Sequence, residues 1–493
     1  MEINSNTKLK RREMLARISR ILIADDNLSK LNRVPLEMRP KRGDFVRCCL
    51  YRDRATIKYK IMAMLGFQEG QEDDELRTLE SYFIEYFERK EPNPEFLNVV
   101  DEACTSCQKN NYIVTNMCRG CVGRPCMLNC PKNTIEFVNG QAKIIQDKCV
   151  NCGICMKVCP FHAIIYNPVP CEEACPVSAI KKDEYGKEKI DLERCILCGK
   201  CLSTCPYGAI VERTELFQLI RAIKSGKKAI AMLAPAVAGQ FKLPMPQIMS
   251  GFKALGFHDV AEVARGADMN AAAEALEFME RPEDCRSMTT SCCPSYVEMI
   301  ARHSPELLKH VSTTPTPMEL TARELRKKFP DALLVFVSPC VSKKGEALRS
   351  ENVDCVISIE EFGAWLVAAN IELAQCGGVE IDQSITSSGR NYARTGGVGA
   401  AVAAHIESGF DFETATFNGI DKSFLRKLKP ILQKNQRTLV EVMACEEGCM
   451  GGCNVIANSR SATNQLKQLA GDLMPMGGAG NPANVAVQTR SNN

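Results

Sequence analysis

Sixteen of the chain's 27 cysteines fall between residues 104 and 205, and their spacing constrains the fold more than any other feature of the 493 residues. The phrase Cys-Pro-x-x-x-Ile occurs four times, from Cys130, Cys159, Cys175 and Cys205, which marks an internal repeat. Two of the four close a full C-x2-C-x2-C-x3-C run: Cys149, Cys152, Cys155, Cys159, and Cys195, Cys198, Cys201, Cys205. A third, Cys118, Cys121, Cys126, Cys130, has a longer middle gap. Three thiolates on one tight loop wrap three corners of a four-iron cube; the fourth, followed by proline, turns away to ligate the other cube of a pair. Zinc ribbons pair two C-x2-C units and do not need that run.

The fourth repeat is incomplete. Cys171 and Cys175 supply only its last two positions, and an orphan C-x2-C, Cys104 and Cys107, lies upstream. The runs resemble bacterial-type two-cluster ferredoxins, nested as in four-cluster electron-transfer subunits. That resemblance implies up to four accessory 4Fe–4S clusters. Three would be held by Cys118, Cys121, Cys126 with Cys159; by Cys149, Cys152, Cys155 with Cys130; and by Cys195, Cys198, Cys201 with Cys175. The fourth would be a split set, Cys104, Cys107, Cys171 with Cys205.

The remaining composition is that of a globular protein. The formal charge of +3 gives no global basic field for nucleic acid or membrane. The N-terminus lacks an apolar core followed by a small-residue cleavage site, and no apolar run is long enough to span a bilayer. A cytoplasmic location is therefore expected, where thiols in such number do not persist as disulfides.

Four segments are expected. Residues 1–100 read as a charged helical segment of unknown role, with 72–90 helical and EPNPEF (91–96) a linker. Residues 101–213 are the α+β ferredoxin-like region. Residues 214–457 alternate helical patterns (321–329, 359–374) with short apolar runs (227–235, 331–340), which argues for α/β architecture with two largely parallel sheets flanked by helices. Residues 458–493 read as a partly mobile tail, Gly/Asn-rich from residue 476.

Three further cysteine segments are spaced across the α/β region: TSCCPSY (290–296), SPCVSKKGE (338–346) and EVMACEEGCMGGCN (441–454). Together and in this order they resemble the motifs of the iron–iron hydrogenase catalytic domain, with departures that resemble its group B members. The resemblance implies reversible H2 oxidation and proton reduction at an H-cluster. Cys293, Cys340, Cys445 and Cys449 would hold a 4Fe–4S cube, and Cys449 would bridge it to a two-iron subcluster bearing CO, cyanide and a dithiolate. Lys343, with Glu346 as its ion-pair partner, matches the cyanide-binding lysine; Ala234, Pro235 and Met443 would line the cofactor. Cys292 matches the free thiol that passes protons to the cluster, a task that a moderately lowered pKa would suit. Glu274, Glu277 and Arg281 fall at i, i+3 and i+7, on one helical face. With Ser312 they match the family's proton path; without the cysteine motifs such a face would read as solvated surface.

Several positions depart from the best-known pattern: Ser338 for Met, Ser295-Tyr296 for Gly-Trp, a shortened third motif ending in Cys453, and Ala236 for a common serine. These alter what surrounds the cofactor, which tunes its potential, and leave the ligands intact. Cys48, Cys49, Cys285, Cys355, Cys376 and Cys453 have no motif partner and read as buried structural thiols. The resemblance further implies a ferredoxin-like electron carrier and maturation proteins that deliver the two-iron unit. Two other readings compete. A low-turnover H2 sensor would typically replace the relay cysteine and carry signalling domains. A hydrogenase-like iron–sulfur assembly factor would lack the full set Lys343, Glu274, Glu277 and Cys292.

Overall fold

In the computed structural model, residues 5–24, 27–42, 49–89, 93–105, 107, 111–434 and 436–471 are described. Cys48, the first two residues of the expected linker and the Gly/Asn-rich end lie outside them.

Two parallel sheets form the C-terminal half. The first runs in the order Asp259–Glu262, Ala229–Leu233, Leu333–Ser338, Cys355–Ser358, with Leu333 opposite Ala229. Its two middle strands are apolar on both faces, as strands covered by helices on either side must be. The second sheet has the order Met288–Thr289, Thr438–Met443, Glu413–Asn418. Its middle strand is buried throughout, while the edge strand Glu413–Asn418 is polar and half exposed. The helix Ile359–Ala368 starts on a capping box, Ser358 with Glu361. It stops short of the expected 374 because Asn370 turns the chain with a left-handed φ of 54°.

The cysteine-dense region forms two ferredoxin-like lobes, one threaded into the other. In the outer lobe the strand Asn111–Val114 pairs antiparallel with Ile164–Asn167, and Ile135–Val138 forms a hairpin with Gln141–Ile144. Asn139 and Gly140 make that hairpin turn with φ of 50° and 80°, the positive values a two-residue turn of this type needs. The inner lobe repeats the plan: Leu97–Val99 pairs with Ile210–Glu212, and Ile180–Lys182 with Glu188–Ile190. Cys104 and Cys107 follow the first inner strand as Cys118 and Cys121 follow the first outer one. Cys171 lies next to Pro170 at the start of a short helix, as Cys126 lies next to Pro125. The whole outer lobe is thus inserted between the second and third cysteines of an inner-lobe motif, which is why that motif is split in sequence.

The N-terminal segment is helical over Asn6–Ala24, Leu50–Met64 and Leu79–Glu88. The expected helix over 72–90 begins only at Leu79. Asp74 ties off a turn by accepting from the Leu76 amide at 2.9 Å, and Thr78 then caps the helix by accepting from Ser81 N. Asn6–Ala24 lies along Ile359–Ala368 and buries Met14, Leu15, Ile18 and Leu22. Burial of each such side chain contributes roughly 1.5–3 kcal/mol. Arg11 and Arg12 both grip the buried Glu360, so this segment is fastened to the C-terminal half.

The tail expected over 458–493 begins as a helix, Ser459–Gly471. Ala462 and Leu466 bury its inner face against Pro235–Gly239. Apolar side chains at i and i+4 thus help to dock what composition had marked as tail.

Candidate metal centre

Three strand ends of the two sheets point their loops at one place. Cys340 follows Leu333–Ser338, Cys293 follows Met288–Thr289, and Cys445 follows Thr438–Met443. Parallel strands present ligand sites at their C-terminal ends in this way. Cys449 comes next on a one-turn helix, Gly448–Gly451. The chain doubles back between Cys445 and Cys449 through left-handed Glu447 and Gly448. A Cβ on Gly448 would stand 2.6 Å from the Ala393 carbonyl oxygen, so only glycine fits.

The four thiols line one cavity of about 90 Å3, partly open to solvent. Cys292, Lys343, Ala234, Pro235 and Met443 share its wall. Burial, then the charge of their neighbours, pushes the Cys445 and Cys449 thiols up from their ordinary value. Thiolates grouped on one buried wall are held by cationic metal, which is the donor chemistry of an iron–sulfur site. Among the described residues no three His, Cys, Asp or Glu side chains converge closely enough for a single metal ion; a cube carries its ligands on outer corners and needs them wider.

Lys343 reaches this cavity from the helix Ser342–Ala347. Its ammonium donates to Glu346 Oε2 at 2.7 Å, and the Thr316 hydroxyl donates to the other carboxylate oxygen. Both charged side chains are nearly buried, so the pair is fixed in place.

A polar chain leads away from Cys292. Glu274 is fully buried on the helix Ala264–Met279 and accepts from Ser291 N at 2.9 Å and Ser291 Oγ at 3.0 Å. Burial raises its pKa to about 7, where a carboxyl group can both give and take a proton near neutrality. The Ser312 hydroxyl donates to Glu277 at 2.7 Å and lies beside Glu274. Burial would raise Glu277 too, but the Thr313 amide, Ser312, Arg281 and Thr314 outweigh it and hold that carboxyl below its ordinary value. Arg281 donates to Glu277 at 3.0 Å and to the Lys309 and Val311 carbonyls. Its side chain is largely buried, so this face lies mostly inside the protein and not at the solvated surface. Cys292 departs from the lowered pKa that would suit it. Burial first, then the negative charge of Glu274 and of neighbouring sulfurs, pushes the thiol well up. The protein alone therefore keeps this thiol protonated, and only nearby metal charge would lower it.

The accessory cysteines group in four places. Cys126 lies among Cys121, Cys159 and Cys118, and Cys155 among Cys149, Cys152 and Cys130. Cys175, Cys195, Cys198 and Cys201 line one small cavity, and Cys171 neighbours Cys205. The inner lobe meets the C-terminal half at Gly199, between Cys198 and Cys201. There φ is +71°, and an added Cβ would sit 2.3 Å from Cys453 Sγ. Cys453 is buried, directly behind the Cys340 loop, with Asn454 N donating to Pro339 O at 3.2 Å. A Gly199→Ala variant is expected to lower the melting temperature by several degrees, the effect of about 1–3 kcal/mol of overpacking. Adding Cys453→Gly should restore part of the loss; no recovery in the double variant would contradict the contact.

Residues 227–453 match the family described as iron only hydrogenase large subunit, C-terminal domain. The chain is iron–iron-hydrogenase-like. Residues 165–216 match the LdpA Fe-S cluster-binding domain, and residues 142–165 a 4Fe-4S binding domain. The chain is 27% identical to iron hydrogenase 1 of Clostridium pasteurianum, over 65% of this chain and 66% of that protein. It is 24% identical to the NADP-reducing hydrogenase subunit HndD of Solidesulfovibrio fructosivorans, over 62% of this chain and 55% of that one. It is also 24% identical to cytosolic iron-sulfur assembly component 3 of Bos taurus, over 41% and 55%. The chain thus spans just under two thirds of the first relative and about half of the other two. Among the described residues of this hydrogenase-like protein no helix is long and apolar enough to cross a membrane.

Some of the site was not read from the sequence. Thr313 and Thr314 hold Glu277 through amides and hydroxyls, and Ser291 holds Glu274. Tyr392, on the cavity wall, donates to Asn270 Oδ1. The serine and threonine run beside Ser312 was the one available signal. The unassigned cysteines are also less uniform than expected: Cys285 and Cys453 are buried, Cys355 and Cys376 are partly exposed, and Cys49 is exposed because it caps the helix Leu50–Met64.

Proposed function

We propose that the chain interconverts H2 with two protons and two electrons. The observation that carries this reading is the convergence of Cys293, Cys340, Cys445, Cys449, Lys343 and Cys292 on one cavity, with Glu274, Ser312, Glu277 and Arg281 leading outward from it. When bound, an H-cluster supplies the H–H bond chemistry and accepts the electrons. Cys293, Cys340, Cys445 and Cys449 would hold its cube, Cys449 the two-iron unit as well, and Lys343 its cyanide side. The chain's own work is to keep that unit oriented in a mostly apolar cavity and to move the proton. Cys292 holds it first; Glu274, near pKa 7, takes it over; Ser312 hands it to Glu277, and Arg281 holds the outer end. Electrons would cross the inner lobe at Gly199 and travel through the outer lobe to a ferredoxin-like carrier. Maturation proteins would deliver the two-iron unit, and a reducing, cytoplasmic setting fits so many thiols.

Infrared spectroscopy of protein matured with the two-iron unit tests this: CO and cyanide bands are expected, and their absence would contradict it. The similarity to an iron–sulfur assembly component favours a second reading, a non-catalytic assembly relative, for which those bands would be missing. The split cube has its own check. Cys104→Ala should lower the iron content by about four atoms per chain; an unchanged count would remove that cube from the account.

A further inference from the structure

We propose that a groove on the far side of the first parallel sheet binds a nucleoside diphosphate. The groove has a volume of about 580 Å3, within the range of small-molecule sites. Three separate stretches of chain wall it: Phe87 and Arg89 at the end of the N-terminal helices, Glu215 to Lys227 around the helix Leu216–Lys224, and Lys344 to Cys355. The N-terminal segment thus contributes to a site. The groove lies at the N-terminal ends of the strands: Lys227 precedes Ala229–Leu233, and Asp354 precedes Cys355–Ser358. The cysteines of the metal centre follow C-terminal strand ends, so a ligand in the groove does not reach them. The helix Ser342–Ala347 stands between the two places. Its Lys343 lines the metal cavity, while Lys344 and Ala347 line the groove.

Charge decides the class of ligand. Both carboxylates of the groove are already held. Glu215 accepts from Arg213 and from Val356 N, each at 2.8 Å. Asp354 accepts from Arg326 at 2.6 Å and from Leu334 N at 2.7 Å. The buried Lys344 is held as well, by Glu212 at 2.7 Å and the Arg213 carbonyl at 2.8 Å. Arg89, Arg221 and Lys227 have no carboxylate partner among the described residues. Arg221 lies over the Phe87 ring at 4.6 Å, and Arg89 donates to the Leu65 carbonyl at 3.4 Å. The groove is therefore left with unmatched positive charge on two of its walls. Exposed Lys228, Lys327 and Lys328 extend the same sign around it. Lys228 is tied to the groove by its carbonyl, which accepts from Leu333 N at 2.8 Å. With only +3 in the whole chain, this concentration is local. Arginine forks match phosphate oxygens, and a diphosphate brings enough negative charge to meet three cations. A bare anion would leave most of the volume empty. Leu219, Ala347 and Val353 line the groove as buried apolar groups, and Phe87 with Arg221 offers a flat surface for a base.

Calorimetry on the iron-loaded full chain with ADP tests the proposal and needs no H2 turnover. The wild type should bind ADP at a single site. Arg221→Glu/Lys227→Glu should weaken that binding about 10-fold or more. Ser225→Trp, which fills the groove and leaves its charge alone, should weaken it as well. Arg119→Glu/Lys143→Glu, which reverses charge on the outer ferredoxin-like lobe, should bind as the wild type does. Pyrophosphate should bind more weakly than ADP, because it leaves the apolar wall uncovered. Melting curves give a second readout: ADP at about 100-fold its dissociation constant should raise the melting temperature of the wild type and not that of Arg221→Glu/Lys227→Glu. No binding of ADP by the wild type would overturn the proposal. So would an equal loss of binding in the outer-lobe variant, or pyrophosphate binding as tightly as ADP.

Discussion

Replacing Glu274 by Gln is expected to cut H2 turnover by about 100-fold or more, the scale of a lost proton-transfer group, with the CO and cyanide bands and the iron content unchanged. Glutamine keeps the hydrogen bond from Ser291 N but cannot carry a proton. The same variant has a pH signature. The Glu274 carboxyl is raised from 4.5 to about 7 by burial, so the folded state holds its proton more tightly than the unfolded one. The stability this contributes is complete below the unfolded value and is lost as pH rises through about 7. Between about pH 5 and about pH 8 the wild-type melting temperature should therefore fall more than that of Glu274→Gln. Parallel curves would mean that Glu274 does not titrate there, and with that its place in the relay would fail. Cys292→Ala should behave like Glu274→Gln in turnover, keeping the bands and losing the rate.

The second large effect is expected at Lys343. Its ammonium is both the partner of a nearly buried carboxylate and a wall of the cofactor cavity. Lys343→Gln leaves Glu346 with Thr316 alone, and an unpaired buried charge costs about 3–5 kcal/mol. The prediction separates the two roles through a double variant. Lys343→Gln/Glu346→Gln removes the stranded charge and should recover most of the melting temperature, yet should still show weak or absent cyanide bands after maturation. Normal bands in the double variant would reduce Lys343 to a structural residue.

Much of this arrangement was legible because metal ligands constrain sequence so tightly. A cube needs three thiols on one loop, so the spacing of Cys149, Cys152 and Cys155 announces itself, and α/β alternation gave both parallel sheets. The split set at Cys104 and Cys107 was legible only as a leftover. What explains it, insertion of the outer lobe into the inner one, is a matter of strand pairing between Leu97–Val99 and Ile210–Glu212, more than a hundred residues apart. Short three-residue strands have no periodicity to read. The docking of Ser459–Gly471 and of Asn6–Ala24 was hidden for a related reason: each depends on a surface built by distant chain, Pro235–Gly239 in one case and Ile359–Ala368 in the other. The contact of Cys453 with Gly199 joins two motifs that sequence presents as unrelated. The direction of the Cys292 shift escaped as well, since it follows from burial and from Glu274, neither of which spacing reports.

The central claim is that the polar path from Arg281 to Cys292 and the thiols behind it serve H2 turnover. Its most direct test is H2-dependent reduction of methyl viologen by the matured chain, under anaerobic conditions and with the infrared bands of the same sample recorded. The account predicts sustained dye reduction under H2 that Cys292→Ala loses. A sample that carries the CO and cyanide bands yet reduces no dye under H2 would contradict it.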